Sequence, residues 1–144
     1  MTDSQEWRLL RSINSLLQLF TVNEQRFPAA EGRMRYNPLD FQTLRYLAEN
    51  SGAKAADVAR YLGVAPTTLQ AVMDRLVRAG LIERATHPES ARAKAHALTE
   101  EGEELVAAIL RQDLANMRSM LACLNSKEQK QILALIEKVV SQLQ

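Results

Sequence analysis

Residues 66–78 carry polar and basic side chains whose types and spacing suit contact with a polyanion. Thr67, Thr68 and Gln70 supply two hydroxyls and an amide, and such groups can form hydrogen bonds with the edges of nucleic-acid bases. Arg75 and Arg78 follow on the outer side, where guanidinium groups can neutralise phosphates. The candidate contact residues of this segment are Pro66, Thr67, Thr68, Gln70, Ala71, Arg75 and Arg78.

In an isolated helix, the same charges have a simpler interpretation. Arg75 and Arg78 would form a solvated helix face, and Asp74 would pair with either of them. The elements around the segment must therefore decide between the two interpretations.

The charge distribution favours the first interpretation. The chain has 18 basic and 17 acidic residues, so its net charge of +1 argues neither for nor against a nucleic-acid partner. Residues 53–98 nevertheless contain seven basic and four acidic side chains, whereas residues 1–52 contain six of each and residues 99–144 contain five and seven. A phosphate-facing surface is therefore expected in the middle third.

Two predicted helices joined by a short turn position the candidate residues. Apolar residues at helical spacing predict one helix over residues 54–62, with Gly63 as its C-terminal cap. Pro66 opens a second helix, which Gly80 closes. Only two residues lie between Gly63 and Pro66, and this spacing matches a helix-turn-helix.

A predicted hairpin follows the second helix. Residues 81–86 alternate as a strand does, residues 87–90 have turn chemistry, and residues 95–98 predict a returning strand. Arg92 and Lys94 are then expected at the hairpin tip. A helix-turn-helix followed by a hairpin is a winged helix-turn-helix, in which one helix fits the major groove of DNA and the hairpin reaches the minor groove.

Helix starts elsewhere in the chain carry capping signals. Asn37 can accept from free backbone amides, Pro38 suits a first helical turn, and Asp40 favours the positive end of the helix dipole. Residues 126–129 predict a capping box for the last helix. Ala65, in contrast, offers no capping side chain before Pro66.

The terminal helices carry wide apolar stripes. Helices predicted over residues 4–27, 100–124 and 126–143 expose more apolar surface than one small helical lobe can cover, so a symmetric dimer is expected. The candidate interface residues are Leu10, Leu17, Leu121, Ile132, Ile136 and Val139.

At these elements, the chain resembles the MarR (multiple antibiotic resistance regulator) family of bacterial transcription factors. The likeness runs from Leu39 to Gly102. It is carried by LDFQTLRYL at residues 39–47, DVARYLGV at 57–64, VMDRLVRAGLIER at 72–84 and LTEEG at 98–102. The resemblance implies a mainly α fold: one MarR-like domain over residues 1–144, with a winged helix-turn-helix lobe at 37–98 and dimerisation helices at 1–36 and 99–144.

The resemblance also implies a function. Family members are homodimers that bind pseudo-palindromic operators in double-stranded DNA, and a small ligand or oxidant commonly relieves repression. Phe20, Phe41 and Tyr46 are candidate contacts for a small aromatic effector, although aromatic residues at helical spacing are ordinarily core. Arg33 and Arg35 could pair with an anionic effector or simply be solvated.

Two positions depart from the family pattern. The wing usually has Asp-x-Arg, whereas residues 90–92 are Ser90, Ala91 and Arg92, so Arg92 lacks its acidic partner. Ala65 replaces the usual capping residue. These departures and the low net charge support an alternative class, a winged-helix protein-binding module such as an anti-repressor or adaptor that has lost tight DNA binding.

Other classes find little support in the sequence. It contains no phosphate-binding loop, His-Glu-x-x-His, Cys-x-x-Cys or nucleophile elbow, so neither an enzyme nor a cofactor is expected. His87 and His96 lack the carboxylate or thiolate of a metal site. The single Cys123 excludes an intrachain disulfide and is expected to be a small buried residue. Without a signal peptide or a membrane-spanning run, the chain is expected in the cytoplasm.

Overall fold

The computed structural model describes residues 4–28 and 37–144, which form six helices and one two-stranded antiparallel sheet. The predicted mainly α fold with a two-stranded wing is confirmed. No helix among the described residues is long and apolar enough to cross a membrane. In chain order the elements are α1 (Gln5–Thr21), α2 (Pro38–Glu49), α3 (Ala55–Leu62), α4 (Pro66–Arg78), β1 (Ile82–His87), β2 (Ser90–Leu98), α5 (Glu100–Leu121) and α6 (Ser126–Leu143).

The chain divides into two compact units. The first unit comprises residues 1–29 and 111–144, and the second comprises residues 30–110. The second unit therefore contains α2, α3, α4, the sheet and the first half of α5.

The apolar core of the second unit is built around α4. Leu69, Met73 and Leu76 of α4 are completely buried, as are Leu44 of α2 and Val58 of α3. Because buried positions recur three and four residues apart, one face of α4 is committed to the core and the opposite face is left to solvent. Burial stabilises the fold by about 1.5–3 kcal/mol for each large apolar side chain, so this orientation of α4 is strongly determined.

An ion pair between α4 and α2 adds a polar contact beside this core. The guanidinium of Arg75 donates to Oδ1 of Asp40, a residue that is only 2% exposed. The other carboxylate oxygen of Asp40 accepts from the backbone amide of Asn37 at 3.2 Å, and Asn37 Oδ1 accepts from the amide of Asp40 at 2.9 Å. This is a reciprocal capping box, so the predicted start of α2 at Asn37 is confirmed.

The turn between α3 and α4 is also as predicted. Gly63 has a φ of 72°, in the left-handed region, and its amide donates to the carbonyl oxygens at the end of α3. A side chain would be strained in this conformation, so glycine is the favoured residue at the helix end.

The wing differs from its prediction. β2 begins at Ser90 instead of residue 95, and its register runs from Ile82 opposite Leu98 to Thr86 opposite Lys94. The prediction that Arg92 and Lys94 lie at the hairpin tip is therefore wrong, since both lie within the strand. Alanines are poor strand formers, but the ladder uses backbone groups that every residue except proline supplies.

The base of the wing is joined to its neighbours by backbone hydrogen bonds. The amide of His96 donates to the carbonyl oxygen of Ala53 at 3.0 Å, and the amide of Gly52 donates to the carbonyl oxygen of His96 at 2.8 Å. Thr99 Oγ1 donates to the carbonyl oxygen of Gly80 at 2.6 Å. A Cβ on Gly102 would lie 2.2 Å from the carbonyl oxygen of Leu81, so α5 can begin this close to the wing only with glycine there.

In the first unit, α1 is shorter than predicted. Ser4 caps it as expected, accepting from the amide of Trp7, whereas Asp3, the other candidate cap, lies outside the described residues. The helix ends at Thr21 instead of near Phe27. Asn23 Oδ1 then accepts from the amide of Arg26 at 3.1 Å, which folds the chain into a turn and buries Phe27.

The connection between α5 and α6 also corrects three expectations. α5 ends at Leu121 instead of residue 124, and Asn125 forms the capping box of α6 with Glu128, so the cap is not Ser126. Cys123 lies in this turn and is exposed, contrary to the prediction that it is buried. It follows the end of α5, where the chain has left the packed face of the helix.

The two partners of the ion pair between α2 and α4 differ in exposure, because Asp40 is buried and Arg75 is partly exposed. This difference leads to a stability prediction. Arg75→Gln leaves the buried carboxylate of Asp40 unpaired and should lower the free energy of unfolding by about 2 kcal/mol or more. Asp40→Asn removes the buried charge and keeps an acceptor, while Arg75, with 45% of its side chain exposed, can be hydrated, so a loss below about 1 kcal/mol is expected. Urea denaturation measures both values.

The matched control for this comparison is Arg45→Gln, which changes an exposed arginine of α2 and should leave the free energy of unfolding unchanged. Equal losses for Arg75→Gln and Asp40→Asn would contradict the proposed asymmetry.

Candidate nucleic-acid interface

The outer face of α4 presents the candidate contact residues together. All seven of them are exposed, and four large apolar side chains of the same helix are buried behind them. The structure therefore brings the candidate base-contacting residues into one continuous row. The exposed residues are Pro66, Thr67, Thr68, Gln70, Ala71, Arg75 and Arg78.

The first turn of α4 has no side-chain cap. Ala65 is the N-cap residue, and no side chain accepts from the backbone amides of this turn. These amides point toward solvent at the positive end of the helix dipole, which is a favourable position for a phosphate.

Asp74 connects α4 to the wing. Its Oδ1 accepts from the guanidinium of Arg84 on β1 and from Nε2 of Gln70 at 3.1 Å. The hydrogen bond from Arg84, followed by that from Gln70, lowers the pKa of Asp74 below its ordinary value of 3.8. The expectation that Asp74 pairs with Arg75 or Arg78 is wrong, because helix residues one apart do not face each other and Arg84 lies closer than Arg78.

The two arginines of α4 have different surroundings. Arg75 is bound to Asp40, whereas Arg78 forms no ion pair with any described residue. Because a guanidinium has five N–H donors, Arg75 keeps donors for a further acceptor. Within the described part of the chain, no group accepts from the guanidinium of Arg78, so its donors can serve a phosphate.

The wing presents its basic residues along β2. Arg92 and Lys94 are exposed. Lys94 lies opposite Thr86 and on the same face as buried His96, whereas Arg92 lies where the register shifts between Thr86 and His87. The hairpin turns at residues 88–89, where His87 Nδ1 accepts from the amide of Glu89 at 3.1 Å.

Sequence reasoning missed three residues on this surface. Lys54, Arg84 and His96 line a cavity of about 340 Å³ in the second unit. The alternation of Lys94 and His96 along β2 was the signal for it, and the shorter predicted strand concealed that signal. The complete lining is Lys54, Ala55, Ala56, Gln70, Arg84, Arg92, Ala93, Lys94 and His96.

The candidate effector residues lie in different units. Phe20, in the first unit, packs on Phe27 with ring centroids 4.9 Å apart. In the second unit, Tyr46 packs on Tyr61 at 4.8 Å, and Phe41 is half-buried on α2. Arg33 and Arg35, the candidates for an anionic effector, lie outside the described residues.

The candidate dimer residues lie in the first unit and retain much of their exposure. Neither α1 nor α6 has a buried residue. The exposed fractions of Leu10, Leu17, Ile136 and Val139 are 49, 54, 51 and 55%. Half-buried positions complete the set, namely Leu121 and Ile132.

Comparison with known proteins agrees with this geometry. A sequence model of the MarR family matches residues 36–93, the segment that contains α2, α3, α4 and most of the wing. Among curated proteins, none matches the sequence significantly.

Solved structures of transcriptional regulators share the fold over nearly the whole chain. A MepR mutant from S. aureus has a TM-score of 0.78 at 22% identity, covering 98% of this chain and 99% of that chain. PcaV from Streptomyces coelicolor, in complex with its natural ligand, has a TM-score of 0.72 at 20% identity, covering 100% and 97%. A second MepR mutant, bound to an oligodeoxyribonucleotide, has a TM-score of 0.63 at 24% identity, covering 99% and 100%.

Of these proteins, PcaV is a transcriptional regulator. The family match covers the helix-turn-helix and its wing, and the structural matches extend the shared fold to the remaining helices. Over residues 36–93, the chain is similar to the MarR family.

Proposed function

We propose that this protein is a transcriptional repressor that binds a pseudo-palindromic operator in double-stranded DNA as a homodimer. The observation that carries the proposal is the outer face of α4, where the hydroxyls and amide stay exposed beside a basic wing while the opposite face is fixed in the core. The oligonucleotide-bound MepR mutant of the same fold supports the use of this surface.

The exposed residues divide into two roles. Pro66, Thr67, Thr68, Gln70 and Ala71, at the start of α4, enter the major groove, where Gln70 and the threonines contact base edges. Arg78 holds a phosphate, and Arg75 adds a phosphate contact while it remains bound to Asp40.

The wing provides the second point of contact. Arg92 and Lys94 extend along β2 toward the minor groove, whose negative potential attracts basic side chains. Lys94 is paired with Thr86 of β1, whereas Arg92 lies where the register shifts between Thr86 and His87.

The homodimer forms through the terminal helices. Helices without a single buried residue do not stabilise a monomer, since helix stability in proteins comes mainly from packing of the apolar face. A second copy would cover Leu10, Leu17, Leu121, Ile132, Ile136 and Val139, and the two-fold symmetry would present two copies of α4 to successive half-sites.

A small aromatic or anionic effector regulates DNA binding in this proposal. Phe20, Phe41 and Tyr46 remain the candidate contacts, and the ligand-bound PcaV supports a ligand-responsive member of this fold. Cytoplasmic localisation follows from the role of a DNA-binding regulator.

Selection from a random DNA pool tests the function directly. A regulator of this kind should enrich a sequence with two related half-sites, and its affinity should fall steeply with salt because phosphate contacts release counterions. If no sequence is enriched and no salt-dependent binding appears, the chain is instead the protein-binding module that Ser90 and Ala65 allow.

The two roles on α4 predict different mutant behaviour. Gln70→Ala should change the base preference at one position of each half-site by about 1–3 kcal/mol, because a base-edge hydrogen bond is lost. Arg78→Ala should weaken all sequences about equally and reduce the salt slope by about 1. Competition binding to a panel of single-base operator variants measures both effects, with circular dichroism as the folding control. Identical specificity profiles for the two variants would contradict the assignment.

The dimer predicts a joint loss of assembly and structure. Ile136→Glu places a charge on the apolar stripe of α6 and should abolish the dimer and most of the cooperative unfolding transition, as in obligate homodimers. Gln131→Glu adds the same charge to an exposed polar position of α6 and should change neither. Light scattering and thermal denaturation provide the measurements. A folded wild-type monomer at micromolar concentration would refute the dimer.

A further inference from the structure

The cavity lined by Lys54, β1 and β2 has the composition of an anion site. Lys54, Arg84, Arg92 and Lys94 contribute four cationic side chains, and no carboxylate lines the cavity. Of the four, only Arg84 forms an ion pair with a described residue, Asp74. The other three positive charges at the cavity wall are therefore not compensated by any carboxylate of the described residues.

The start of α3 adds backbone donors to the same cavity. Ala55 and Ala56 line it, and as first-turn residues their amides have no intrahelical acceptor. Lys54 is the N-cap of α3 and makes no side-chain capping bond. Asp57, the acid of this first turn, is bonded to Arg60 and does not line the cavity.

A buried histidine supplies an independent sign of a ligand. His96 lines the cavity and is only 3% exposed, yet its Nε2 has no hydrogen-bond partner among the described residues. Its Nδ1 lies 3.1 Å from the carbonyl oxygen of Ala53, which can only accept, so Nδ1 carries the proton of the neutral ring. Nε2 is therefore a buried acceptor in a cavity whose four charged side chains are all donors.

We propose that this cavity binds a tetrahedral oxyanion, of the sulfate or phosphate class, and that binding is coupled to proton uptake by His96 at Nε2. The proton comes from solvent and turns Nε2 from an acceptor into a donor, which then faces an anion oxygen. The anion is either a small free ion or a backbone phosphate of DNA, and the second source rests on the proposed function.

The charges around His96 explain why the proton and the anion should bind together. Burial lowers the pKa of His96 below its ordinary value of 6.5, and the charge of Arg84 acts in the same direction. The hydrogen bonds to the backbone of Ala53 and Lys94 and the charge of Asp74 on α4 act in the opposite direction. A bound anion adds the compensating charge that the buried imidazolium lacks, so each ligand raises the affinity for the other.

The experiment follows the two histidines of the intact protein by NMR as a function of pH, with and without sulfate. Sulfate is the probe because it keeps its charge over the pH range in which histidine titrates, whereas a phosphate monoester titrates at about pH 6. The chain has two histidines, so His87→Gln assigns the spectrum. Sulfate should raise the titration midpoint of His96 by about one pH unit or more, and between the two midpoints its affinity should fall about tenfold per pH unit.

Matched variants separate the cavity from general charge effects. Lys94→Gln and Lys54→Gln should reduce the sulfate-induced shift, whereas Lys127→Gln, an exposed lysine of α6, should leave it intact. His96→Gln keeps a neutral donor and should make sulfate binding, measured by calorimetry, independent of pH. Since the main readout uses the wild-type histidine, the test does not depend on the folding of this variant.

A second arm uses a DNA duplex in place of sulfate and distinguishes the two sources. A shift of the His96 midpoint with sulfate supports a free-ion site, and a shift with DNA alone supports a backbone phosphate as the occupant. If DNA binds but neither anion moves the midpoint, this inference is overturned and the proposed function stands. If sulfate moves the His96 midpoint and no duplex binds, this inference stands and the proposed function is overturned.

Discussion

The carboxylate of Asp40 is the interaction on which the DNA-facing geometry depends. One of its oxygens closes the first turn of α2 and the other accepts from Arg75 on α4, so a single buried charge determines both where α2 begins and how α4 lies against it. Apolar packing fixes which face of α4 is buried. The ion pair adds a directional contact with α2, because a guanidinium and a carboxylate interact well only in a narrow range of geometries.

The wing depends on α4 through the same kind of contact. Asp74 accepts from Arg84, while the base of the wing is hydrogen-bonded to Ala53 before α3. The wing is therefore connected to α4 through Asp74 and to the segment before α3 through Ala53. These contacts hold the wing at its base and, through Asp74, at β1.

Sequence reasoning succeeded where the signals are local. The Asn37 capping box, the Gly63 helix end and the helical periodicity of α4 depend on residues three or four apart, and the structure contains all three. It failed where a contact spans many residues. Nothing near Asp40 in sequence indicates Arg75, and nothing near His96 indicates Ala53. The start of β2 was misplaced because strand propensity reports on side chains, whereas the pairing that extends the wing involves the backbone.

The bond between Gln70 and Asp74 has a consequence for the modularity of this fold. A residue expected to select bases is oriented by a carboxylate that is itself held by Arg84, outside the recognition helix. Preference for an operator then depends on three hydrogen-bonded residues, Gln70 and Asp74 on α4 and Arg84 on the wing. Grafting the outer face of α4 into a relative would transfer the base-contacting residues without Arg84, which holds the carboxylate that orients Gln70. Divergence of binding preference among related regulators can thus begin on the wing, with every base-contacting residue unchanged.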